Sequence, residues 1–120
     1  MSAGKRGKLK KTVVLVGMMG AGKTAVGRAL AARLAVPFLD ADIEIEKAAN
    51  MTISEIFQRD GEEFFRARET EVIDRLLDAR PAILSVGGGA FLSARNREMI
   101  ATKGLSVWLD ADLDVLWSRV

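Results

Sequence analysis

The sequence predicts an α/β fold, a parallel sheet with helices packed on both faces, and two observations carry that prediction. Short aliphatic or β-branched runs alternate along the chain with longer stretches of helical periodicity, and each unusual residue cluster falls where a strand-like run stops. Right-handed crossovers between parallel strands cover both sheet faces, and ligands of such sheets sit beyond the strand carboxyl ends. With 120 residues, 49% of them hydrophobic, the chain suffices for one packed core and is too short for two ordinary domains.

Thr12 to Val16 is a β-branched run ending at Gly17, the pattern of a buried strand entering a turn. Gly22 to Leu34 follows with Val26, Leu30 and Leu34 at helical spacing. Pro37-Phe38-Leu39 reads as a second short strand leading into Asp40-Ala41-Asp42. Ile43 to Ala49 and Ile53 to Gln58 read as two short helices, the second with Thr52 as N-cap and Glu55 at N3. Glu62 to Ala79 is the longest helical segment; Phe65, Val72 and Leu76 make its apolar stripe, Ile73 and Leu77 widen it, and Pro81 marks the next boundary. Ala82 to Val86 is strand-like and stops at Gly87-Gly88-Gly89. A helix around Ser93 to Thr102, a strand from Leu105 to Leu109 and a helix beginning at Asp112 complete the alternation, with Trp108 and Trp117 expected in the core.

Composition narrows the chemistry. The chain has no Cys and no His, so disulfides, thiolate metal sites, imidazole ligands and a histidine base are all excluded. Carboxylates, Lys, Arg, hydroxyls and a metal remain. No window approaches the roughly 18 apolar residues of a membrane span, and the Lys-rich start lacks an apolar signal segment. A cytoplasmic protein without membrane or nucleic-acid partners, and monomeric, is expected. Lys5, Arg6, Lys8, Lys10 and Lys11 concentrate positive charge ahead of the first strand; residues 1–11 are read as a solvated, disordered leader and 12–120 as the folded domain.

Gly17-Met18-Met19-Gly20-Ala21-Gly22-Lys23-Thr24 matches G-x-x-x-x-G-K-[ST] in full, between a strand and a helix. A chance match in a chain this long has odds of roughly four in a thousand. Gly20, Ala21, Gly22, Lys23 and Thr24 are the candidate cradle for ATP phosphates: backbone N–H groups and the helix N-terminus attract the anion, Lys23 reaches the β- and γ-phosphates, and the Thr24 hydroxyl can ligate Mg²⁺. A three-layer P-loop NTPase fold is therefore expected. Asp40 and Asp42 lie two apart and point the same way while the chain stays extended, one toward a metal and the other toward an acceptor; a turn or helix N-cap is the plainer alternative. Arg66 and Glu69, three apart on the long helix, can be a surface ion pair or a clamp for a substrate carboxylate. Glu69 borders the apolar stripe, where an idle carboxylate is costly, so it needs a partner. Gly87-Gly88-Gly89 offers backbone N–H groups and close approach, or is a flexible turn.

Together, Gly17 to Thr24, Asp40-Ala41-Asp42, Ile53-Ser54-Glu55-Ile56-Phe57, Gly61-Glu62-Glu63-Phe64-Phe65-Arg66, Glu69 and Gly87-Gly88-Gly89 resemble shikimate kinase from about Lys11 onward. The resemblance implies a nucleoside-monophosphate-kinase-like sheet of order 2-3-1-4-5 and transfer of the ATP γ-phosphate to the 3-hydroxyl of shikimate, a step toward the aromatic amino acids. It further implies that Lys23 holds the phosphates, that Thr24 and Asp40 serve Mg²⁺, and that Asp42 binds the acceptor hydroxyl and acts as its base. Arg66 and Gly88 would hold the shikimate carboxylate with support from Glu69, Phe57 and Phe65 would wall the pocket, and Gly87 and Gly89 would shape the loop. Family members continue beyond the position of Val120 into an Arg-bearing lid, a second substrate-binding Arg and a last strand, so the chain is expected to be the N-terminal part of such an enzyme, and Arg119 falls too early to be the lid Arg. Gluconate kinase and a catalytically silent ATP-binding module are the alternatives. The first lacks the G-E-x-x-F-R and G-G-G combination; intact Lys23, Asp42 and Arg66 weigh against the second.

Overall fold

The computed structural model describes residues 9–17 and 21–109. Gly20, the leader residues Lys5, Arg6 and Lys8, the helix expected from Asp112, Trp117 and Arg119 lie outside them. The order is β1 (Thr12–Gly17), α1 (Ala21–Leu34), β2 (Phe38–Asp40), α2 (Ala41–Ala49), α3 (Ile53–Asp60), α4 (Glu62–Asp78), β3 (Ile83–Ser85), a 3₁₀ turn (Ala90–Leu92), α5 (Ala94–Lys103) and β4 (Gly104–Leu109). The strands form one parallel sheet of order β2-β3-β1-β4. That is the 2-3-1-4 portion of the expected order.

Alternation along β1 splits the core in two. Val14 and Val16 join Leu84 and Val86 beneath Ile45, Ile56, Phe65, Ile73 and Ile100 of α2–α5, whereas Val13 and Leu15 join Ile83 and Leu109 beneath α1 through Val26, Leu30, Ala31 and Leu34. Helices on both faces of a sheet buried on both sides make the three layers. Two glycines permit close approaches within them. A Cβ on Gly27 of α1 would stand 2.2 Å from the Phe38 ring, and one on Gly17, at φ +107°, would stand 2.4 Å from the Leu109 carbonyl oxygen.

Local signals explain the helix ends. Thr52 and Glu55 form the full capping box of α3, the Thr52 hydroxyl accepting from the Glu55 N–H at 3.1 Å and Glu55 Oε1 accepting from the Thr52 N–H at 2.8 Å. Asn50 closes α2 in the left-handed conformation at φ 55°. Ser93 caps α5, accepting from the Asn96 N–H.

One expectation fails here. Trp108, expected in the core, is 61% exposed. It stands on β4, an edge strand among the described residues, and meets Phe91 edge-on at 5.1 Å, with its other side open to solvent. Among the described residues no helix is long and apolar enough to cross a membrane.

Candidate active site

The strand order puts a topological switch between β1 and β3, and the register sets Leu15, Ser85 and Asp40 abreast near the carboxyl ends of β1, β3 and β2. A cavity of about 650 Å³ opens there, lined by Lys23, Thr24, Asp40, Asp42, Gly87 and Gly88 together with Ala25, Arg28, Ser85 and Val86. Residues from three separate stretches of sequence thus meet in one place.

Lys23 and Thr24 sit in the first turn of α1, a turn that carries no acidic residue, so the partial positive charge of the helix N-terminus is left for an anion. Lys23 is 7% exposed and donates to the Val86 carbonyl at 2.6 Å. Burial pushes its pKa below the ordinary lysine value, against the opposing pull of Asp40 and Asp42.

The two aspartates are not arranged as extended-chain alternation suggests. The chain leaves the β conformation at Asp40, which becomes the N-cap of α2, its Oδ1 accepting from the N–H groups of Asp42 at 2.9 Å and Ile43 at 3.3 Å. Asp42 therefore projects from the first helical turn instead of the strand. The plainer alternative, an N-cap, holds for Asp40, and both carboxylates still reach the cavity. Burial, then the neighbouring Asp40 carboxylate, pushes the Asp42 pKa above the ordinary aspartate value; Lys23 and Arg66 pull the other way.

Arg66 and Glu69 flank a second, smaller cavity of about 280 Å³, lined also by Glu62, Thr70, Gly89, Leu92, Ser93 and Asn96. Arg66 Nη1 donates to Glu69 Oε1 at 2.9 Å, and Arg66 Nε lies 3.7 Å from Glu62. Glu69 is buried while Arg66 is half-buried, so the pair is no loose surface contact. Burial pushes the Glu69 pKa up despite the hydrogen bond and charge of Arg66. The glycine loop is fitted to these groups. A Cβ on Gly87 would lie 3.6 Å from both Asp42 carboxylate oxygens, one on Gly89 would lie 2.6 Å from Arg66 Nη2, and one on Gly88 would meet nothing within 4 Å. Gly88 is the one of the three that faces open space.

Phe57 and Phe65 stack on each other at 4.9 Å between ring centroids, and Arg66 lies over the Phe65 ring at 5.2 Å. Neither ring is among the residues that line the larger or the smaller cavity, so the expected pocket walls are not placed against either. Gly20 lies outside the described residues, and Ala21 and Gly22 open α1. Arg28, whose position four after Thr24 puts it on the same helix face, was not among the expected site residues, and Glu62, four before Arg66, entered only as part of the G-E-x-x-F-R motif with no role assigned. Nor were Thr70 and Asn96 expected, which hydrogen-bond across 26 residues of sequence and left no local signal.

Comparison with known proteins identifies the family. The family model described as shikimate kinase matches residues 19–120. A shikimate kinase of Ruegeria pomeroyi is 71% identical over 112 residues, 93% of this chain and 57% of the relative, and one of Cereibacter sphaeroides is 68% identical over 113 residues, 94% and 57%. The solved structure of an Acinetobacter baumannii shikimate kinase in complex with shikimate superposes with a TM-score of 0.83 at 43% identity, covering 96% of this chain and 64% of that one. The chain spans 57% of the length of these two curated relatives, and it belongs to the shikimate kinase family, with the P-loop NTPase fold of that family's solved structures.

Proposed function

We propose that this chain supplies the phosphate-binding and acceptor-binding parts of an enzyme that transfers the γ-phosphoryl group of ATP to the 3-hydroxyl of shikimate. The observation that carries the reading is the meeting of Lys23, Asp42 and Gly88 on one cavity, with Arg66 close enough to bias the Asp42 carboxyl. Bound Mg-ATP supplies the phosphoryl group and a cation that spreads its charge.

The donor set fits that group. The backbone of Ala21 to Thr24 and the Lys23 ammonium suit the phosphates, and the Thr24 hydroxyl suits a hard cation. One Asp40 oxygen caps α2, which leaves the other for a water on the cation. Among the described residues no three acidic side chains converge as a metal cage. A Mg²⁺ here would take its remaining positions from phosphate oxygens and water, as that ion ordinarily does.

On the acceptor side, Arg66 is held by Glu69 and Glu62 so that its remaining N–H donors can fork onto a carboxylate. Gly88 gives the ring room, and the acceptor hydroxyl donates its hydrogen bond, and then its proton, to the Asp42 carboxylate. A raised pKa suits a base meant to receive a proton from a hydroxyl, and a strong base is unnecessary in a transfer governed by positioning and charge. The test is ADP release coupled to Mg-ATP, with and without shikimate, on this chain and on the chain extended to the length of its relatives. Shikimate-dependent release from the extended protein is expected. ATP binding with indifference to shikimate rules the reading out and makes gluconate and other polyols the next acceptors to try.

A further inference from the structure

We infer that Asn96 and Arg97, at the start of α5, are positioning residues that lock the glycine loop against α4 and so fix the acceptor-carboxylate subsite; this rests on the acceptor reading above. Asn96 is 1% exposed and faces two elements at once. Its Nδ2 donates to the Ala90 carbonyl at 2.9 Å, and its Oδ1 accepts from the Thr70 hydroxyl at 2.8 Å. A carbonyl can only accept, so the amide nitrogen must face Ala90, and that orientation turns Oδ1 to Thr70. No other side chain of this size offers one donor and one acceptor on opposite prongs. Arg97, the next residue, donates through Nη1 to the carbonyls of Phe91 at 2.9 Å and Leu92 at 3.0 Å. Three consecutive carbonyls of the 3₁₀ turn are thereby tied to one helical turn.

What these bonds position is the subsite. The turn begins where the loop ends, with the Ala90 N–H donating to the Gly87 carbonyl and the Leu92 N–H to the Gly89 carbonyl. Thr70 adjoins Glu69, the buried partner of Arg66. The spacing between loop and α4 is set tightly, since the Arg66 guanidinium lies where a Cβ on Gly89 would stand. Asn96 spans that gap from behind, with one prong on each side. Displacing the loop by about an ångström would move Gly88 relative to Arg66, an error of the size that costs binding and rate in a preorganised site.

Thr70→Val removes the hydroxyl donor at nearly constant volume, Thr70→Ser restores it, and Arg97→Met removes both loop bonds from an exposed position; Asn96→Leu is the direct variant. In the chain extended to the length of its relatives, KM for shikimate is expected to rise roughly three- to tenfold in Thr70→Val and Arg97→Met, the effect of losing one or two hydrogen bonds. KM for ATP should stay unchanged, Thr70→Ser should return to the parent value, and amide exchange should quicken at residues 87–92. An unchanged KM for shikimate in both variants, or a loss of activity that tracks only the folded fraction, overturns the clamp while leaving the kinase reading intact. An unsubstituted protein that ignores shikimate overturns both.

Discussion

At the scale of single residues, burial displaces Lys23, Asp42 and Glu69 from their ordinary ionisation behaviour. In the reaction proposed above Asp42 must be ionised to accept the proton, and with its pKa raised by burial the activity is expected to decline, as pH falls, at a higher pH than an ordinary aspartate would give. Asp42→Asn keeps the size and removes the base. We expect kcat to fall about a hundredfold or more with KM for shikimate little changed; turnover retained alongside intact shikimate binding would reduce Asp42 to a positioning group. Glu69 carries a different cost. Its folded pKa lies above the ordinary 4.5, so the folded state holds the proton more tightly than the unfolded chain. This contribution to stability is therefore full at pH below 4.5 and is lost as pH rises through the raised folded value. Glu69→Gln abolishes that loss while still accepting from Arg66. The melting temperature of the variant relative to the parent should climb from pH 4 to pH 7, and KM for shikimate should rise because Arg66 has lost its charged partner. A difference flat in pH would show that the buried carboxylate imposes no such penalty.

At the scale of elements, the glycine loop between β3 and the 3₁₀ turn separates ligand space from protein space. Gly88 has nothing within 4 Å of an added Cβ and no positive φ, so Gly88→Ala should leave the melting temperature unchanged and weaken shikimate binding by occupying its space. In Gly89→Ala the new methyl meets the far end of the Arg66 side chain, which can swing away without breaking the fold. We expect the larger rise in KM from Gly89→Ala, read by steady-state kinetics beside thermal melts; a drop in melting temperature for Gly88→Ala would show that the protein itself fills the Gly88 space. Most helices and strands were legible because their signals were local, whereas the 3₁₀ turn at Ala90–Leu92 and the start of α2 at Ala41 were not. The Thr52–Glu55 capping box, the Phe65–Val72–Leu76 stripe and the Gly17–Thr24 motif each lie within a few turns of chain. The role of Asp40 was ambiguous because the same short acid serves as strand end, metal ligand or N-cap, and only the point where the helix starts decides. Trp108 misled because an apolar side chain on a strand predicts burial only where something covers that strand. The Thr70–Asn96 bond was illegible in principle, since it joins two helices whose relative placement is a property of the assembled core.

At the scale of the molecule, both subsites hang from one sheet. β1 and β3 are hydrogen-bonded neighbours, β3 leads into the glycine loop, and Lys23 of α1 donates to the Val86 carbonyl beyond the end of β3. Arg66, Glu69, Asp42, Lys23, Thr24 and the three loop glycines all lie within residues 21–109, although the chain spans only 57% of the length of the two curated relatives. Binding at these groups, if they form the proposed site, is measurable on this chain without turnover, as ligand-linked stability. A ligand that binds only the folded state adds about 2.7 kcal/mol at a hundred times its Kd, which in a domain of this size raises the melting temperature by roughly 10 °C. Shikimate should raise the melting temperature of this chain, and Arg66→Ala should remove most of that shift while sparing the one produced by Mg-ATP. ATP without Mg²⁺ should shift it less, because the Asp40 and Asp42 carboxylates then face the phosphates with no cation between them. A melting temperature indifferent to shikimate at saturating concentration, with the Mg-ATP shift intact, would mean that Arg66, Gly88 and Asp42 do not by themselves make an acceptor site, and that shikimate binding depends on groups beyond residue 109.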